Sequence, residues 1–319
     1  GLVLDFAAGV YGVGGVLGSL ASSVSLMRAS AATRIDTAGA LQTLGPDLAR
    51  IDHDPQTLAP RGLLLETGRS NLFVQSATPA DQTISLNAVP HVLSFYGTGS
   101  IVLSGGYSGT LVGTGSFPQR VSLLFTPTVG NLTLTLSGDV TAPQLEEGGV
   151  GSSYIPSGAA STARAEDVAS VGLSNWFDAS QGTLVFNGAL DSAAANDRII
   201  EIDDGTTATR LSILWNTVLG KPQFQVWDAG VLQAAIAPAG NAIALGSYFR
   251  VAITYAANDF AVSLNGGALA TDTTGILPAG LGTLRLGRSV WGAQGLMVAE
   301  GVTYYPAPLS DAEVIALSA

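Results

Sequence analysis

Short stretches in which apolar and polar residues alternate recur through most of this chain. The clearest runs from Asn131 to Ser137, where Leu132, Leu134 and Leu136 alternate with small polar residues. Side chains of a strand point alternately to the two faces of its sheet, so this pattern predicts strands with one buried face. Glycine, at 40 of 319 residues, and proline separate the stretches and are typical of tight turns. The pattern therefore predicts an all-β protein.

Two groups of strands follow from this pattern, and each has enough strands for a sandwich or jelly roll. In the first group the predicted strands are 83–89, 100–103, 120–126 and 131–137. In the second group they are 183–189, 198–203, 210–216, 223–228, 248–255, 260–264, 283–288 and 296–304. The sequence Leu264-Asn265-Gly266-Gly267 predicts a tight turn at the end of one of these strands.

One short helix is predicted at the end of the chain, over residues 309–317. Ser310 stands at its start and Glu313 follows three residues later, which is the spacing of a capping box. Pro306 and Pro308 precede it, and proline ends a strand because it lacks the N–H that the sheet needs.

The first 27 residues are apolar and rich in glycine, and Asp5 is the only charged residue among them. They lack the basic leading segment of a signal peptide. Glycines interrupt every apolar run, which disfavours a membrane-spanning helix. We expect an extended arm that packs on protein. The sequence leaves open whether residues before Gly1 have been removed.

The charge balance limits the partners of the chain. The net charge is −11, and Lys221 is the only lysine among 13 basic residues. Binding to nucleic acid or to an anionic membrane surface needs a basic cluster, so we expect neither. The absence of cysteine excludes disulfides and thiolate metal sites.

Four segments carry a family resemblance over residues 1–167. Residues 28–36, 49–55 and 62–72 read R-A-S-A-A-T-R-I-D, A-R-I-D-H-D-P and G-L-L-L-E-T-G-R-S-N-L, and residues 143–158 read P-Q-L-E-E-G-G-V-G-S-S-Y-I-P-S-G. In this order they resemble a recurrent module of structural proteins of tailed phages and gene transfer agents. In that module such a run precedes a β-sandwich similar to a carbohydrate-binding module.

A second resemblance lies near the end of the chain. Residues 249–266, F-R-V-A-I-T-Y-A-A-N-D-F-A-V-S-L-N-G, resemble back-to-back strands of the concanavalin A-like fold, also called laminin-G-like. The two resemblances imply three parts: an N-terminal arm and virion-attachment region (1–72), a carbohydrate-binding-module-like sandwich (73–167) and a concanavalin A-like lectin domain (168–319). We further expect Arg164, with Glu166 or Asp167, to tie the N-terminal region to the first sandwich, which places the domain boundary near residue 167.

These resemblances imply a head spike, head fibre or tail fibre at the surface of a phage or phage-like particle. The lectin-like domain is then expected to bind a host-cell polysaccharide, with capsid or tail proteins as the other partners and the oligomeric state left open. One alternative is a purely architectural protein that decorates or stabilises the particle. A second alternative is a depolymerase that cuts capsule.

The candidate ligand-binding residues are Arg288, Trp291 and Tyr304, because sugars stack on accessible aromatic rings and hydrogen-bond to nearby polar groups. Trp291 follows Arg288 in a predicted loop, where ligand contacts are common. We expect core or rim positions for Trp215 and Trp227, which end predicted strands, and a core position for Trp176.

No pattern for catalysis is complete. Glu201 and Asp203 would face the same side of a strand, as in concanavalin-like glucanases, but the third carboxylate of that pattern is absent. We therefore expect no enzymatic activity and no cofactor. Calcium is common in concanavalin-like domains, and the loop residues that could bind it are Asp203, Asp204, Asp272 and Asn265, with no specific spacing.

Overall fold

The computed structural model describes residues 1–192, 194, 197–292 and 294–319. In this part of the chain, strands make up nearly all of the regular structure, and the two helices are short. The predicted all-β class is confirmed.

The strands and helices fall into three parts along the chain. The first part contains β1 (Leu2–Asp5), β2 (Val10–Val13), β3 (Val16–Gly18), α1 (Leu20–Ser23), β4 (Ser25–Met27), β5 (Ala32–Ile35), β6 (Leu41–Leu44), β7 (Ile51–His53), β8 (Pro60–Leu65) and β9 (Arg69–Asn71). The middle part contains β10 (Gln82–Leu86), β11 (His91–Tyr96), β12 (Ser100–Gly105), β13 (Gly109–Val112), β14 (Val121–Phe125), β15 (Gly130–Ser137) and β16 (Thr141–Glu147). The last part contains β17 (Thr162–Arg164), β18 (Val168–Gly172), β19 (Gln181–Ser192), β20 (Arg198–Asp203), β21 (Arg210–Asn216), β22 (Lys221–Asp228), β23 (Val231–Ile236), β24 (Tyr248–Ala256), β25 (Asp259–Leu264), β26 (Ala270–Asp272), β27 (Thr283–Leu286), β28 (Leu296–Tyr305) and α2 (Asp311–Leu317).

A large sandwich of two antiparallel sheets contains the main core. The ten-stranded sheet has the order β26-β25-β24-β19-β28-β1-β2-β3, with β8 beside β28 and β7 beside β8. The seven-stranded sheet has the order β23-β22-β21-β20-β27-β18-β4. Alternate residues such as Phe186, Ile202, Ile213 and Val251 meet between the sheets and are fully buried. This burial of apolar side chains is the main force that holds the sheets together.

A small sandwich is built from the middle part of the chain. Its two sheets have the orders β10-β15-β12-β13 and β14-β11-β16. Leu132 and Leu134 are buried in its core, as the alternation predicts, and Leu136 packs at the edge of that core. The predicted strands of this region are therefore largely confirmed, and β11, β13 and β16 complete them.

The N-terminal region is not a separate arm. Its strands belong to the sheets of the large sandwich, so neither residue 72 nor residue 167 separates an independent domain. β1 pairs with β28, so that Leu2 lies opposite Tyr304, and β4 pairs with β18. β8 also pairs with β28, through Leu63 to Leu65. These strands are apolar and short, and they are buried only by joining the sheets of the large sandwich. In the sequence, the small sandwich is thus inserted between two segments that together form the large one.

A buried cluster of charged residues joins the segments on both sides of this insertion. Arg50 contacts Glu66 at 2.6 Å and also Asp167, and Arg164 contacts Glu66. Arg28 contacts Asp167 at 3.0 Å. The predicted tie between Arg164, Asp167 and the N-terminal segments is confirmed. These charges are stable in the interior because each of them has an opposite partner.

Residues 150–157 run back across the small sandwich. The Ile155 amide donates to Gln144 Oε1 at 2.6 Å, and Tyr154 Oη lies 2.7 Å from Ser76 Oγ. On the other side, the Ser153 amide donates to Glu66 Oε1 at 2.7 Å. This segment therefore contacts both sandwiches at once.

The C-terminal helix α2 begins where the capping pattern predicts. The Ser310 amide donates to Glu313 Oε2 at 2.8 Å. Val314 is buried against the outer face of the ten-stranded sheet, beside Val185 and Ala252.

Candidate functional site

The outer face of the seven-stranded sheet carries two adjacent rows of polar side chains. Because side chains alternate along a strand, residues between the core positions of β20, β21, β22 and β27 point away from the core. In the first row, the strand register places Arg285, Glu201, Ser212 and Gln225 side by side. In the second row it places Thr283, Asp203, Arg210 and Trp227 side by side.

Arg210 lies between two indole rings on this face. Its guanidinium carbon is 4.7 Å from the centre of the Trp227 ring and 5.9 Å from the centre of the Trp291 ring. A guanidinium group is attracted to the negative face of an aromatic ring, so Arg210 holds both rings in place. The Trp227 indole N–H donates to Gln225 Oε1 at 3.0 Å, and the Trp291 side chain is 64% exposed.

Two polar atoms of this face are buried without a hydrogen-bond partner among the described residues. They are Ser212 Oγ and Arg210 Nε. Arg210 Nε lies 3.8 Å from Glu201 Oε2, which is within ion-pair range but too long for a hydrogen bond. Burial, with the nearby charge of Arg198, lowers the pKa of Arg210. A buried polar group without a partner is unfavourable, so both atoms can gain from a ligand hydroxyl group.

The two carboxylates of the face serve to hold arginines. Glu201 Oε2 accepts from Arg198 Nε at 2.7 Å, and its Oε1 accepts from the Val290 amide at 2.8 Å. Asp203 Oδ2 accepts from Arg285 Nε at 2.6 Å. Both carboxylates are buried, and both oxygens of each accept a hydrogen bond, since Arg285 also donates to Asp203 Oδ1. This arrangement suits positioning rather than proton transfer.

The structure does not bring the three predicted site residues, Arg288, Trp291 and Tyr304, together in one accessible site. Trp291 lies on this face and is accessible. Arg288 lies in the same loop, but its Nη1 forms an ion pair with Glu166 Oε1 at 2.5 Å. Tyr304 is only 1% exposed, and its hydroxyl group lies 3.1 Å from Tyr255 Oη inside the core. The prediction of Tyr304 as a ligand contact is therefore wrong, because its strand turns this ring inward.

Trp176 and Trp215 are in the core, as expected. Trp227, for which a core or rim position was expected, is half-buried on the outer face, where its ring packs on Arg210. Arg210 was not predicted from the sequence. Its signal is the alternation of β21, in which Leu211 and Ile213 face the core and Arg210 must face outward together with Trp227.

The four residues considered for calcium have other partners. Asp203 is bound to Arg285, and Asp204 and Asp272 accept hydrogen bonds from Thr206 and Thr274, two residues further along the chain. Asn265 Oδ1 accepts from the Arg250 amide at 2.8 Å. Within the described ranges, no group of three or more His, Asp or Glu side chains is placed to hold a metal ion.

No helix in the described part of the chain is both long and apolar enough to cross a membrane.

Comparison with known proteins gives similarity only to solved structures. No protein-family model matches the chain, and no curated protein matches it. The chain is similar to the NanB sialidase of Streptococcus pneumoniae, with 15% identity and a TM-score of 0.39 over 47% of this chain and 26% of the sialidase. It is similar to the CBM40 of the Ruminococcus gnavus IT-sialidase, with 19% identity and a TM-score of 0.39 over 44% of this chain and 83% of that one. It is also similar to domain 4 of AbnA, an arabinanase of Geobacillus stearothermophilus, with 13% identity and a TM-score of 0.38 over 54% of this chain and 83% of that domain. The chain thus spans about a quarter of the sialidase.

Proposed function

We propose that this protein binds a glycan on the outer face of the seven-stranded sheet. The observation that carries the proposal is the placement of Arg210 between Trp227 and Trp291, next to the unpartnered Ser212 Oγ. Sugars present C–H groups that pack on indole faces, and hydroxyl groups that both donate and accept hydrogen bonds. Gln225, Ser212 and Arg210 supply polar atoms on the same face of the sheet as Trp227.

We also propose, from the sequence motifs, that the chain is a surface component of a phage or phage-like particle and attaches it to a host polysaccharide. For the contact with capsid or tail proteins we propose the β2–β3 hairpin. β3 is the edge of the ten-stranded sheet, and Val16 and Leu17 on it are 72% and 76% exposed. Exposed apolar residues at a sheet edge favour contact with another protein.

The glycan proposal is tested by Trp291→Ala. We expect binding on a glycan array, or to purified host capsule and lipopolysaccharide, to weaken about two- to tenfold, because an aromatic contact contributes roughly 0.5–1.5 kcal/mol beyond area burial. Val129→Ala is the matched control, since Val129 is 74% exposed but lies in the small sandwich. Equal binding by both variants and the unchanged protein would contradict the proposal.

Point variants are preferable to removal of residues 168–319, because β1, β4 and β8 would lose their pairing partners. Unchanged adsorption by Trp291→Ala, together with fragile particles when the protein is missing, would support the architectural alternative. The depolymerase alternative has no support in the geometry, since Glu201 and Asp203 are both held by arginines.

A further inference from the structure

A cleft lies between the two sandwiches, apart from the outer face of the seven-stranded sheet. Its volume is about 180 Å³. Asp52, Arg61 and Asp191 line it from the large sandwich, and Tyr96 and Arg120 line it from the small sandwich. Clefts between domains are a common place for small-molecule sites, because two rigid walls can contact one ligand.

The small-sandwich wall presents polar atoms that the protein does not use. Tyr96 is 7% exposed, and within the described residues its hydroxyl group makes no hydrogen bond. Arg120 lies over the Tyr96 ring, with 5.7 Å from the guanidinium carbon to the ring centre. Its two terminal nitrogens donate to Ser152 O and Ser94 Oγ, each at 2.7 Å, while its Nε is buried without a partner in the described part of the chain.

The opposite wall supplies both acceptors and donors. Arg61 contacts Asp52 at 3.3 Å and Asp191 at 3.8 Å. The Arg61 and Asp191 side chains are 31% and 34% exposed, so both can still reach a ligand. Burial raises the pKa of Asp52 and Asp191.

The mixture of charges decides the class of ligand. An anion placed here would face the carboxylates of Asp52 and Asp191, and a cation would face the guanidinium groups of Arg61 and Arg120. A neutral hydroxyl group can accept from a guanidinium N–H and donate to a carboxylate at the same time. The cleft volume of about 180 Å³ is below the range of pockets for drug-sized ligands, which suits a ligand no larger than one sugar ring.

We propose that this cleft is a second binding site, specific for one neutral sugar ring or a similar small polyol, with Tyr96 Oη and Arg120 Nε as the ligand contacts of the small sandwich and Asp191 as the contact of the large one. The site is separate from Trp291 and does not depend on the function proposed for the outer face. A ligand held here would contact both sandwiches.

The test is calorimetric titration of the full chain with glucose, galactose, mannose and N-acetylglucosamine to millimolar concentrations, and with glucuronate as the anionic probe. We expect saturable binding of at least one neutral sugar and weaker binding of glucuronate. Tyr96→Phe removes only the hydroxyl group, and the loss of one hydrogen bond should weaken binding roughly two- to tenfold. Tyr107→Phe, which removes a hydroxyl group of the same sandwich away from the cleft, should bind normally.

Trp291→Ala separates the two sites. Unchanged monosaccharide binding in Trp291→Ala, together with weaker binding in Tyr96→Phe, supports the cleft. The proposal is overturned if no neutral sugar saturates, if Tyr96→Phe binds as tightly as the unchanged protein, if glucuronate binds more tightly than every neutral sugar, or if Trp291→Ala abolishes the binding.

Discussion

At the scale of single residues, the surroundings of an aromatic side chain, and not its residue type, determine whether it can contact a ligand. Trp291 and Tyr304 were both candidates in the sequence, with Trp291 favoured by its predicted loop, and the structure shows Trp291 exposed and Tyr304 packed against Trp176 and Phe177. Burial raises the pKa of Tyr304 and of Tyr255 further above the ordinary value of a phenol, which is already protonated at neutral pH. Tyr304 is therefore a structural hydrogen-bonding group in the core.

Tyr304→Phe should lower the free energy of unfolding by about 1–3 kcal/mol, because it leaves buried partners without a hydrogen bond. These partners are the Asp178 amide, at 3.0 Å, and the Gln181 carbonyl oxygen, at 3.1 Å, while the Asp178 carbonyl oxygen keeps the hydrogen bond from Tyr255 Oη. Denaturant unfolding measures the change. Tyr107→Phe is the control and should stay close to the unchanged protein, while a loss of glycan binding without a loss of stability in Tyr304→Phe would contradict this role.

At the scale of elements, long strands with clear alternation were predictable and short ones were not. The predicted strands 198–203 and 210–216 coincide with β20 and β21. The predicted turn at Asn265 and Gly266 is confirmed, since both have positive φ angles, of 49° and 70°. β1, β4 and β8 escaped prediction as members of the large sandwich because the strands that join them to it, β28 and β18, lie more than 100 residues further along the chain.

The pairing of β8 with β28 depends on Gly62. Its φ angle is +121°, and a Cβ atom there would lie 2.2 Å from the Ala299 carbonyl oxygen. Gly62→Ala should therefore lower the free energy of unfolding by roughly 1–3 kcal/mol, since the backbone must shift or strain. Gly158→Ala is the control, because no atom lies within 4 Å of its Cβ position and its φ angle is not positive. Equal melting temperatures of the two variants would contradict the inference.

At the scale of the whole molecule, the charge cluster around Glu66 couples the two sandwiches. Burial by itself raises the pKa of Glu66, but Arg164, Arg50 and the Ser153 hydrogen bonds outweigh it and hold the pKa at about 2, against an ordinary 4.5. Glu66 thus remains ionised in the folded protein. Ser153, in residues 150–157, contacts Glu66 directly, and Gln144 of the small sandwich donates to the Ser153 carbonyl oxygen, so the cluster connects the large sandwich to the small one through this segment.

Acid should weaken the folded state through Glu66. A carboxyl group with a lower pKa in the folded state stabilises it above the unfolded value of 4.5, and this stability is lost as the pH falls towards 2. The loss should be on the order of 3 kcal/mol. Chemical denaturation at a series of pH values between these limits measures it.

Glu66→Gln should lack this part of the pH dependence and should already be less stable at neutral pH by roughly 3–5 kcal/mol, since Arg50 and Arg164 lose a buried partner. Glu147→Gln is the control, because Glu147 is exposed beside the same region. A Glu66→Gln protein that keeps the full acid sensitivity of the unchanged chain would refute the assignment.

Local patterns in the sequence were enough to predict the all-β class, most strand positions, the C-terminal helix and the candidacy of Trp291, because alternation, turn residues and capping residues act over a few neighbouring positions. The three-dimensional fold was needed to show that the N-terminal strands complete the large sandwich and that the small sandwich is inserted into it. The fold also showed that Tyr304 is buried, that Arg210 lies between Trp227 and Trp291, and that Tyr96 lines a cleft between the sandwiches. These features depend on pairing and packing between residues far apart in the chain, which local patterns do not specify.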